Sequence, residues 1–321
     1  MDTLLNEFKK GSKRALARTI SLIENNGELS DEIRDALYQK SGKAYRLGIT
    51  GPPGAGKSTL VNQLTKAYRR QNKTVGIIAV DPTSPFTGGA LLGDRVRMSD
   101  LTLDEGVFIR SMATRGSLGG LASRAQEVAD VLDAFGKHLI IYETVGVGQS
   151  ELDIVEAADT TIVVLVPESG DSIQAMKAGL MEIADIFVMN KADREGADRA
   201  IRELDAILHL RDPRDWMPPI VKTVATKNEG IDELLKAINK HRKYLEDNNL
   251  LSAKRRDRFV KSVQALVTQR LKQDFWDEQA RKILSAHIAE LDERKTSPYR
   301  AARQLMEHFK KSLAGQGAGE Q

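Results

Sequence analysis

One segment near the start of the chain combines glycines with a lysine and hydroxyl side chains, which together are suited to holding phosphate. It reads Gly51-Pro52-Pro53-Gly54-Ala55-Gly56-Lys57-Ser58-Thr59 and fits the pattern G-x-x-x-x-G-K-[ST]. The glycines let backbone N–H groups converge on phosphate oxygens, Lys57 reaches the β- and γ-phosphates, and the Ser58 hydroxyl can ligate Mg²⁺. The apolar run 45–50 before the segment and the helical pattern after it favour a nucleotide site over a glycine-rich turn that binds no phosphate.

A second segment can read the base of the nucleotide. Asn190-Lys191-Ala192-Asp193 directly follows the apolar run 186–189. The Asp193 carboxylate can accept the N1–H and the 2-amino group of guanine, whereas adenine presents an acceptor at N1 and has no 2-amino group. The Lys191 stem can cover the base, and Asn190 can brace the loops around it. A solvated turn is the alternative for this string by itself, but its place after a strand and beyond a phosphate loop predicts a preference for guanine.

A third segment, Thr223-Val224-Ala225-Thr226, follows the last strand predicted in the sequence. A backbone N–H of this segment would meet the O6 atom of guanine. The residue types by themselves carry little signal, and an ordinary strand end is the alternative. With the other two segments present, we predict that Val224, Ala225 and Thr226 complete the base site.

Hydrolysis of a nucleoside triphosphate requires Mg²⁺, a positioned water molecule and a group that senses the γ-phosphate. Glu143 follows the strongly apolar run 139–142, so its carboxylate is expected at the carboxyl end of a strand. It can reach Mg²⁺ through a water molecule or help to orient the nucleophile, and the sequence leaves both roles open. The backbone N–H of Gly146 can approach the γ-phosphate.

Two aspartates are further candidates near the metal and the water. Asp81 ends the apolar run 76–80, and Asp94 lies in the segment 92–95. Helix N-caps or turn residues are the alternative for both. We therefore predict that the catalytic residues are Lys57, Asp81, Asp94 and Glu143, and that the metal ligands are Ser58, Asp81, Asp94 and Glu143.

The stretch 81–106 is rich in Gly, Arg and Thr and lacks periodicity, which is typical of a mobile switch loop. Within it, Arg95 and Arg97 either neutralise charge in the transition state or pair with nearby carboxylates. The segments 115–120 and 168–174 are expected at strand ends on the nucleotide side, where their rearrangement can report the nucleotide state to a partner.

Composition excludes several classes of protein. With 321 residues and 41% apolar content the chain can bury a substantial core, and a net charge of +3 gives no reason to expect a nucleic acid or a membrane as partner. The absence of cysteine excludes disulfides and thiolate metal sites. No signal peptide and no charge-free span of about 20 residues is visible. These observations predict a soluble protein of the cytoplasm.

Short apolar runs alternate with helical patterns through the middle of the chain. The strand candidates are 45–50, 74–80, 107–112, 138–143, 160–166, 186–189 and 220–224. The alternation predicts an α/β fold of the P-loop NTPase kind, with a mostly parallel sheet flanked by helices and the ligand at the carboxyl ends of the strands. We expect a helical extension at 1–43, a nucleotide-binding domain at 44–247, a helical segment at 248–314 and a loose tail at 315–321.

Several longer segments match a known family. Residues 80–85, 88–98, 108–120, 143–151 and 216–219 together resemble the methylmalonyl-CoA mutase-associated GTPases of the MeaB/ArgK type, which are P-loop GTPases of the SIMIBI class. The similarity covers most of the chain from Leu16 to about Tyr244. At Val224 the family usually has Ser, so a side-chain contact is in question there while the backbone amide remains.

The resemblance implies a function as well as a fold. A member of this family would be a homodimeric GTPase that binds GTP and GDP with Mg²⁺. It would chaperone an adenosylcobalamin-dependent acyl-CoA mutase, gating the delivery of intact cofactor and the release of damaged cobalamin. The family's nucleotide-binding positions carry over to 51–59, 190–193 and 224–226, and its C-terminal dimerisation arm corresponds to 248–314.

The sequence also admits two other functions. Older labels in the family suggest a small-molecule kinase of the amino-acid transport type, which would need an acceptor pocket with a base that the sequence does not reveal. A metal-delivery GTPase would need clusters of His or Cys ligands. Packed or surface roles are instead expected for the scattered histidines, which are His138, His209, His241, His287 and His308.

Overall fold

The computed structural model describes residues 2–24, 31–81, 99–113, 120–144, 157–169, 180–210, 215–289 and 296–316. Within these ranges a seven-stranded sheet is formed in which every neighbouring pair of strands is parallel. The strands are β1 (Tyr45–Thr50), β2 (Val75–Asp81), β3 (Val107–Ala113), β4 (Leu139–Thr144), β5 (Thr160–Leu165), β6 (Ile186–Asn190) and β7 (Ile220–Thr223). Their order across the sheet is β3-β2-β4-β1-β5-β6-β7. Each strand predicted from the sequence is confirmed to within one residue at each end.

The central strands are buried on both faces, which explains why they read as continuous apolar runs. Every residue of β1, β4 and β5 is buried. A parallel sheet requires this because the helices that connect its strands cover both faces. The predicted α/β architecture with a parallel sheet is therefore confirmed.

Helices precede, connect and follow the strands. In the described ranges they are α1 (Asp2–Lys9), α2 (Lys13–Glu24), α3 (Asp31–Tyr38), α4 (Lys57–Arg70), α5 (Ser99–Thr102), α6 (Gly120–Ala134), α7 (Leu180–Ile183), α8 (Ala197–His209), α9 (Ile231–Asp247), α10 (Leu250–Phe275), α11 (Glu278–Ala289) and α12 (Pro298–Gln316). The helical patterns predicted near both ends of the chain are therefore present.

Two of the hydrophobic clusters in the core lie on opposite faces of the sheet. Leu60 of α4 and Ile238 of α9 belong to one cluster, together with Ile141 of β4. Leu132 of α6 belongs to the other, together with Ile140 of β4. Because adjacent residues of a strand point to opposite faces, α4 and α9 lie on one side of the sheet and α6 lies on the other.

The N-terminal helices pack on the face that α6 covers. Leu16, Ile20 and Ile23 of α2 are buried at helical spacing, in the same cluster as the core residues of α6. Phe8 of α1 meets Phe135, just after α6, edge to face with ring centroids 5.1 Å apart. The N-terminal extension is thus held to the sheet domain by apolar burial, the main favourable term in folding.

A buried polar chain joins α9 to the amino ends of β5 and β6. His241 of α9 is only 1% exposed. Its Nδ1 lies 2.8 Å from Thr160 Oγ1, its Nε2 lies 3.3 Å from Asp185 Oδ1, and its ring centroid lies 4.7 Å from that of Trp216. Burial lowers the pKa of His241 to about 4. This histidine is therefore a packed, neutral residue at pH 7, as the sequence predicts.

The chain divides into two compact units, Met1–Arg255 and Arg256–Gln321. In the second unit α11 and α12 pack together, and the ring centroids of Phe275 and Phe309 lie 5.2 Å apart. By contrast, α10 has no buried residue along its length although it carries many apolar side chains. No helix within the described ranges is both long and apolar enough to span a membrane.

Candidate nucleotide site

The phosphate loop connects β1, in the middle of the sheet, with the first turn of α4. The φ angles of Gly51, Gly54 and Gly56 are 144°, 76° and 87°, values that residues with a Cβ rarely adopt. A Cβ on Gly51 would lie 2.1 Å from the carbonyl oxygen of Val164, and one on Gly56 would lie 2.4 Å from the side-chain amide nitrogen of Asn190. These two glycines are therefore required by close packing as well as by backbone conformation.

Lys57 occupies the first position of α4 and is 6% exposed. Its ammonium group donates hydrogen bonds to the carbonyl oxygens of Gly51 (2.7 Å) and Pro52 (2.9 Å). Such partners are needed because a buried charge without hydrogen bonds is costly. The lysine head thus lies inside the loop, next to the N-terminus of α4 with its partial positive charge.

Ser58 and Glu143 meet at the carboxyl edge of the sheet. The Ser58 hydroxyl donates to Glu143 Oε1 at 2.5 Å, and Glu143 is 6% exposed. The pairing of β1 with β4, in which Ile49 lies opposite Glu143, brings the two side chains together. Hydroxyl and carboxylate oxygens are ligands that Mg²⁺ accepts. The structure thus joins two of the four predicted metal ligands directly.

Ser58 and Glu143 suit Mg²⁺ better than they suit a metal ion whose ligands are all protein side chains. In the described part of the chain no group of three or more His, Cys, Asp or Glu residues can hold a metal ion. Mg²⁺ usually takes one or two protein ligands and completes its octahedron with water and phosphate oxygens. Ser58 and Glu143 match this number of protein ligands.

The remaining predicted catalytic residues are only partly described. Asp81 is the last residue of β2, and the pairing of Val80 with Thr144 places the ends of β2 and β4 at the same edge of the sheet. The side chain of Asp81 lies outside the described part of the chain, as do Asp94 and Gly146 entirely. Their roles stay predictions.

Asn190 links three loops of the site. It ends β6, is 2% exposed, and donates from its side-chain amide to the carbonyl oxygen of Ala55 at 2.8 Å. Its Oδ1 accepts hydrogen bonds from the Thr223 hydroxyl at 3.0 Å and from the Ala225 N–H at 3.1 Å. One side chain therefore holds the phosphate loop against the segments that follow β6 and β7.

Lys191 and Asp193 follow Asn190 in the predicted base loop. Lys191 has a left-handed backbone with φ 56°, and its ammonium group donates to the Gly54 carbonyl oxygen at 2.8 Å. Asp193 Oδ2 lies 3.2 Å from Lys227 Nζ, an ion pair that the sequence interpretation did not include. Lys227 directly follows Thr226 and so lies one residue beyond the third predicted segment.

The segment after β7 forms a short 3₁₀ turn, Ala225–Lys227. Its ends are fixed by the bridge in which Val224 N–H donates to the Glu229 carbonyl oxygen at 3.1 Å. Val224 is 7% exposed, so the side chain that differs from the family's usual Ser is packed in the interior. The Ala225 N–H, a candidate donor to guanine O6, donates here to Asn190.

A further ion pair connects the segment after β5 with the base loop. The Arg194 guanidinium bonds to Glu168, and this hydrogen bond keeps the pKa of the Glu168 carboxyl below its usual value. Both side chains are about half exposed, at 51% and 53%. A pair this exposed contributes little to stability, but it shows that the two segments are neighbours.

A parallel sheet whose central strand leads through a glycine-rich lysine loop into a helix, with an N-K-x-D loop at the same edge, defines a P-loop GTPase. The sequence model of the family described as "Methylmalonyl Co-A mutase-associated GTPase MeaB" matches residues 16–280. The chain belongs to this family and is a GTPase.

Individual relatives agree with this assignment. A protein from Pyrococcus abyssi is 55% identical over 272 residues, which cover 84% of each chain. GTPase ArgK from Escherichia coli is 38% identical over 243 residues, which cover 73% of each chain. Among solved structures, the one described as LAO/AO transport system kinase matches with a TM-score of 0.71 and 29% identity, covering 96% of this chain and 97% of that one.

Proposed function

We propose that this GTPase binds GTP and GDP with Mg²⁺ at the site described above and chaperones an adenosylcobalamin-dependent acyl-CoA mutase. The observation that carries the nucleotide assignment is the bonding of Asn190, which holds the phosphate loop and both base segments at one edge of the sheet. The mutase assignment is supported by the family description. In this role the nucleotide state would gate the delivery of intact cofactor and the release of damaged cobalamin.

The residues of the nucleotide site have separate roles in the proposed binding and hydrolysis of GTP. Lys57 would turn from its loop carbonyls to the β- and γ-phosphates, while Ser58 and Glu143 would hold Mg²⁺ directly or through water. When bound, Mg²⁺ would supply positive charge that offsets the negative charge of the phosphates. Asp193 would accept the guanine N1–H and 2-amino group. Asp81, Asp94 and the N–H of Gly146 would complete the metal and γ-phosphate contacts.

We also propose that residues 248–314 form a dimerisation arm. The apolar side chains of α10 recur at helical spacing and are 40–51% exposed, namely Phe259, Val260, Val263, Leu266, Val267 and Leu271. A continuous exposed apolar face of this kind is typical of a helix that packs against another subunit. A second copy of the chain supplies the same face and can cover it by symmetry.

The proposed location is the cytoplasm, where a chain without cysteine needs no oxidising environment.

Calorimetry and co-purification together test the proposed function. GDP and a non-hydrolysable GTP analogue should bind with Mg²⁺, whereas ADP should bind far more weakly. The purified protein should form a complex with a cobalamin-dependent mutase whose amount differs between GDP and the GTP analogue. Equal binding of adenine and guanine nucleotides would contradict the base assignment, and the absence of any nucleotide-dependent complex would contradict the chaperone assignment.

The product that receives the γ-phosphate distinguishes a GTPase from a small-molecule kinase. Labelled GTP incubated with basic amino acids should yield only inorganic phosphate and GDP. A phosphorylated amino acid would instead favour the kinase, in line with the description of the structural relative as a transport system kinase.

A further inference from the structure

The ion pair between Lys227 and Asp193 joins two loops that come from different strands. Asp193 follows β6 and Lys227 follows β7, and the Nζ–Oδ2 distance is 3.2 Å. The backbones that carry them are tied together, because the Ala192 N–H donates to the Thr223 carbonyl oxygen at 3.0 Å. The Lys227 N–H donates to the Val224 carbonyl oxygen at 2.9 Å, which closes the turn from which its side chain projects. The backbone hydrogen bonds therefore fix the positions from which the two charged side chains project.

Guanine recognition leaves room for a third donor on the carboxylate. An ionised carboxylate offers about four lone-pair positions on its two oxygens, whereas the guanine N1–H and 2-amino group use only one position on each oxygen. A lysine ammonium can therefore stay bonded to a lateral position while the base binds. A hydrogen bond from a charged donor to a carboxylate is stronger than one between neutral groups, so the ammonium can fix the orientation of the carboxylate.

We propose that Lys227 is a positioning residue for guanine recognition, holding the Asp193 carboxylate in the orientation that accepts the two guanine donors. This inference rests on the proposed guanine site and adds a residue that the N-K-x-D pattern does not contain. Lys191, the lysine that the pattern does contain, is engaged elsewhere, with the Gly54 carbonyl oxygen. The two lysines thus have separate tasks, Lys191 at the phosphate loop and Lys227 at the base-reading carboxylate.

The size of the effect follows from exposure. The Lys227 and Asp193 side chains are 56% and 42% exposed. Measured contributions of such exposed pairs lie at about 0.2 to 1 kcal/mol, so the change in the dissociation constant should be at most about fivefold. Salt should reduce the effect, because exposed charges are screened.

The test is a double-mutant cycle on nucleotide affinity. Lys227→Gln should raise the dissociation constant for GDP by at most about fivefold at low salt and by less at about 0.5 M salt, whereas Lys227→Arg should restore binding. In the Asp193→Asn background, Lys227→Gln should leave the affinity for xanthosine diphosphate unchanged, because a neutral amide needs no cation. If Lys227 only stabilised the fold of the loop, Lys227→Gln would lower nucleotide affinity in the Asp193→Asn background as well.

Lys222→Gln is a matched control. Lys222 of β7 pairs with Asp198 of α8 at 2.5 Å, and the two side chains are 57% and 70% exposed. This variant removes an exposed Lys–Asp pair that lies outside the base loops, so it should bind GDP like the parent protein.

Three outcomes would overturn the inference. They are unchanged or tighter GDP binding by Lys227→Gln, an equal loss in the Asp193→Asn background, and an equal loss in Lys222→Gln. The proposed function fails separately: if Asp193→Asn alone keeps full GDP affinity, Asp193 does not read the base. If Asp193→Asn loses GDP affinity while Lys227→Gln does not, the guanine site stands and only the role of Lys227 is rejected.

Discussion

At the level of single residues, Lys57 combines burial with bonds that a phosphate can replace. Its ammonium group donates to carbonyl oxygens of its own loop, and phosphate oxygens are stronger acceptors because they are charged. We expect Lys57→Ala to lower the rate constant of GTP hydrolysis by at least about 100-fold, since a charged contact to the transferring group is lost. Phosphate release measured at saturating GTP checks this, and thermal unfolding shows whether the variant is folded. Hydrolysis at the parent rate would contradict the phosphate assignment.

Asp193 should determine which base is bound. An asparagine at this position can donate to the 2-oxo group of xanthine, whereas it meets the guanine 2-amino group donor to donor. We therefore expect Asp193→Asn to lose at least about tenfold in GDP affinity and to gain affinity for xanthosine diphosphate. Isothermal titration with both nucleotides measures the change. Asp198→Asn, which alters an exposed aspartate outside the base loops, should bind GDP normally.

At the level of secondary structure, the junction before α9 depends on a glycine. Gly230 precedes α9 with φ 77°, and a Cβ there would lie 2.0 Å from the backbone carbonyl oxygen of Lys222. Backbone atoms of a strand cannot give way easily, so Gly230→Ala should destabilise the fold by at least about 2 kcal/mol.

Gly42 is the control position, because a substitution there introduces backbone strain without a steric clash. It also has a positive φ of 95°, but an added Cβ would contact nothing within 4 Å. Gly42→Ala should therefore cost only about 1 kcal/mol, the penalty of the left-handed conformation. Urea unfolding of both variants measures the difference. Equal losses would show that the close approach of Gly230 to β7 does not matter.

The packing of α9 on the sheet predicts a dependence of stability on pH. The pKa of His241 is lowered by burial from 6.5 to about 4 in the folded protein. As the pH falls, the unfolded chain therefore binds the proton first, and stability present at pH 7 is lost as the pH falls from about 6.5 to about 4. Between pH 7 and pH 5 this site should cost about 2 kcal/mol of the free energy of unfolding.

A pair of histidine variants tests this expectation. Urea unfolding of His241→Gln at pH 7 and pH 5 should show a loss smaller by about 2 kcal/mol than that of the parent protein. His209→Gln is the control, because the His209 side chain is 64% exposed, and its loss should equal that of the parent. The same pH dependence in His241→Gln and the parent would mean that His241 is not kept neutral by burial.

At the level of the whole molecule, the exposed face of α10 predicts the oligomeric state. Leu266→Glu places a charge on the apolar face and should convert the proposed dimer into monomers, because burial of an unpaired carboxylate is unfavourable. Ala265→Glu introduces the same charge on the opposite, exposed side of the helix and should leave the dimer intact. Light scattering after gel filtration measures the mass. A monomeric parent protein, or a dimer unaffected by Leu266→Glu, would contradict the dimerisation arm.

The sequence alone determined the elements of the fold and the class of ligand. Each strand is confirmed to within a residue. For the central strands the reason is that burial on both faces produces an apolar run, which local composition reveals. The phosphate loop and the base loop were recognisable for a similar reason. Their chemistry is carried by residues that are neighbours in the chain, from Gly51 to Thr59 and from Asn190 to Asp193.

Tertiary structure decided which distant residues meet. The contact between Ser58 and Glu143 arises only because β1 and β4 are adjacent in the sheet. No local sequence pattern specifies this strand order. The pairing of Lys227 with Asp193 likewise depends on β6 and β7 being neighbours. A lysine in a polar loop looks the same in sequence whether it pairs or not, since its partner is set by the folded path of the chain.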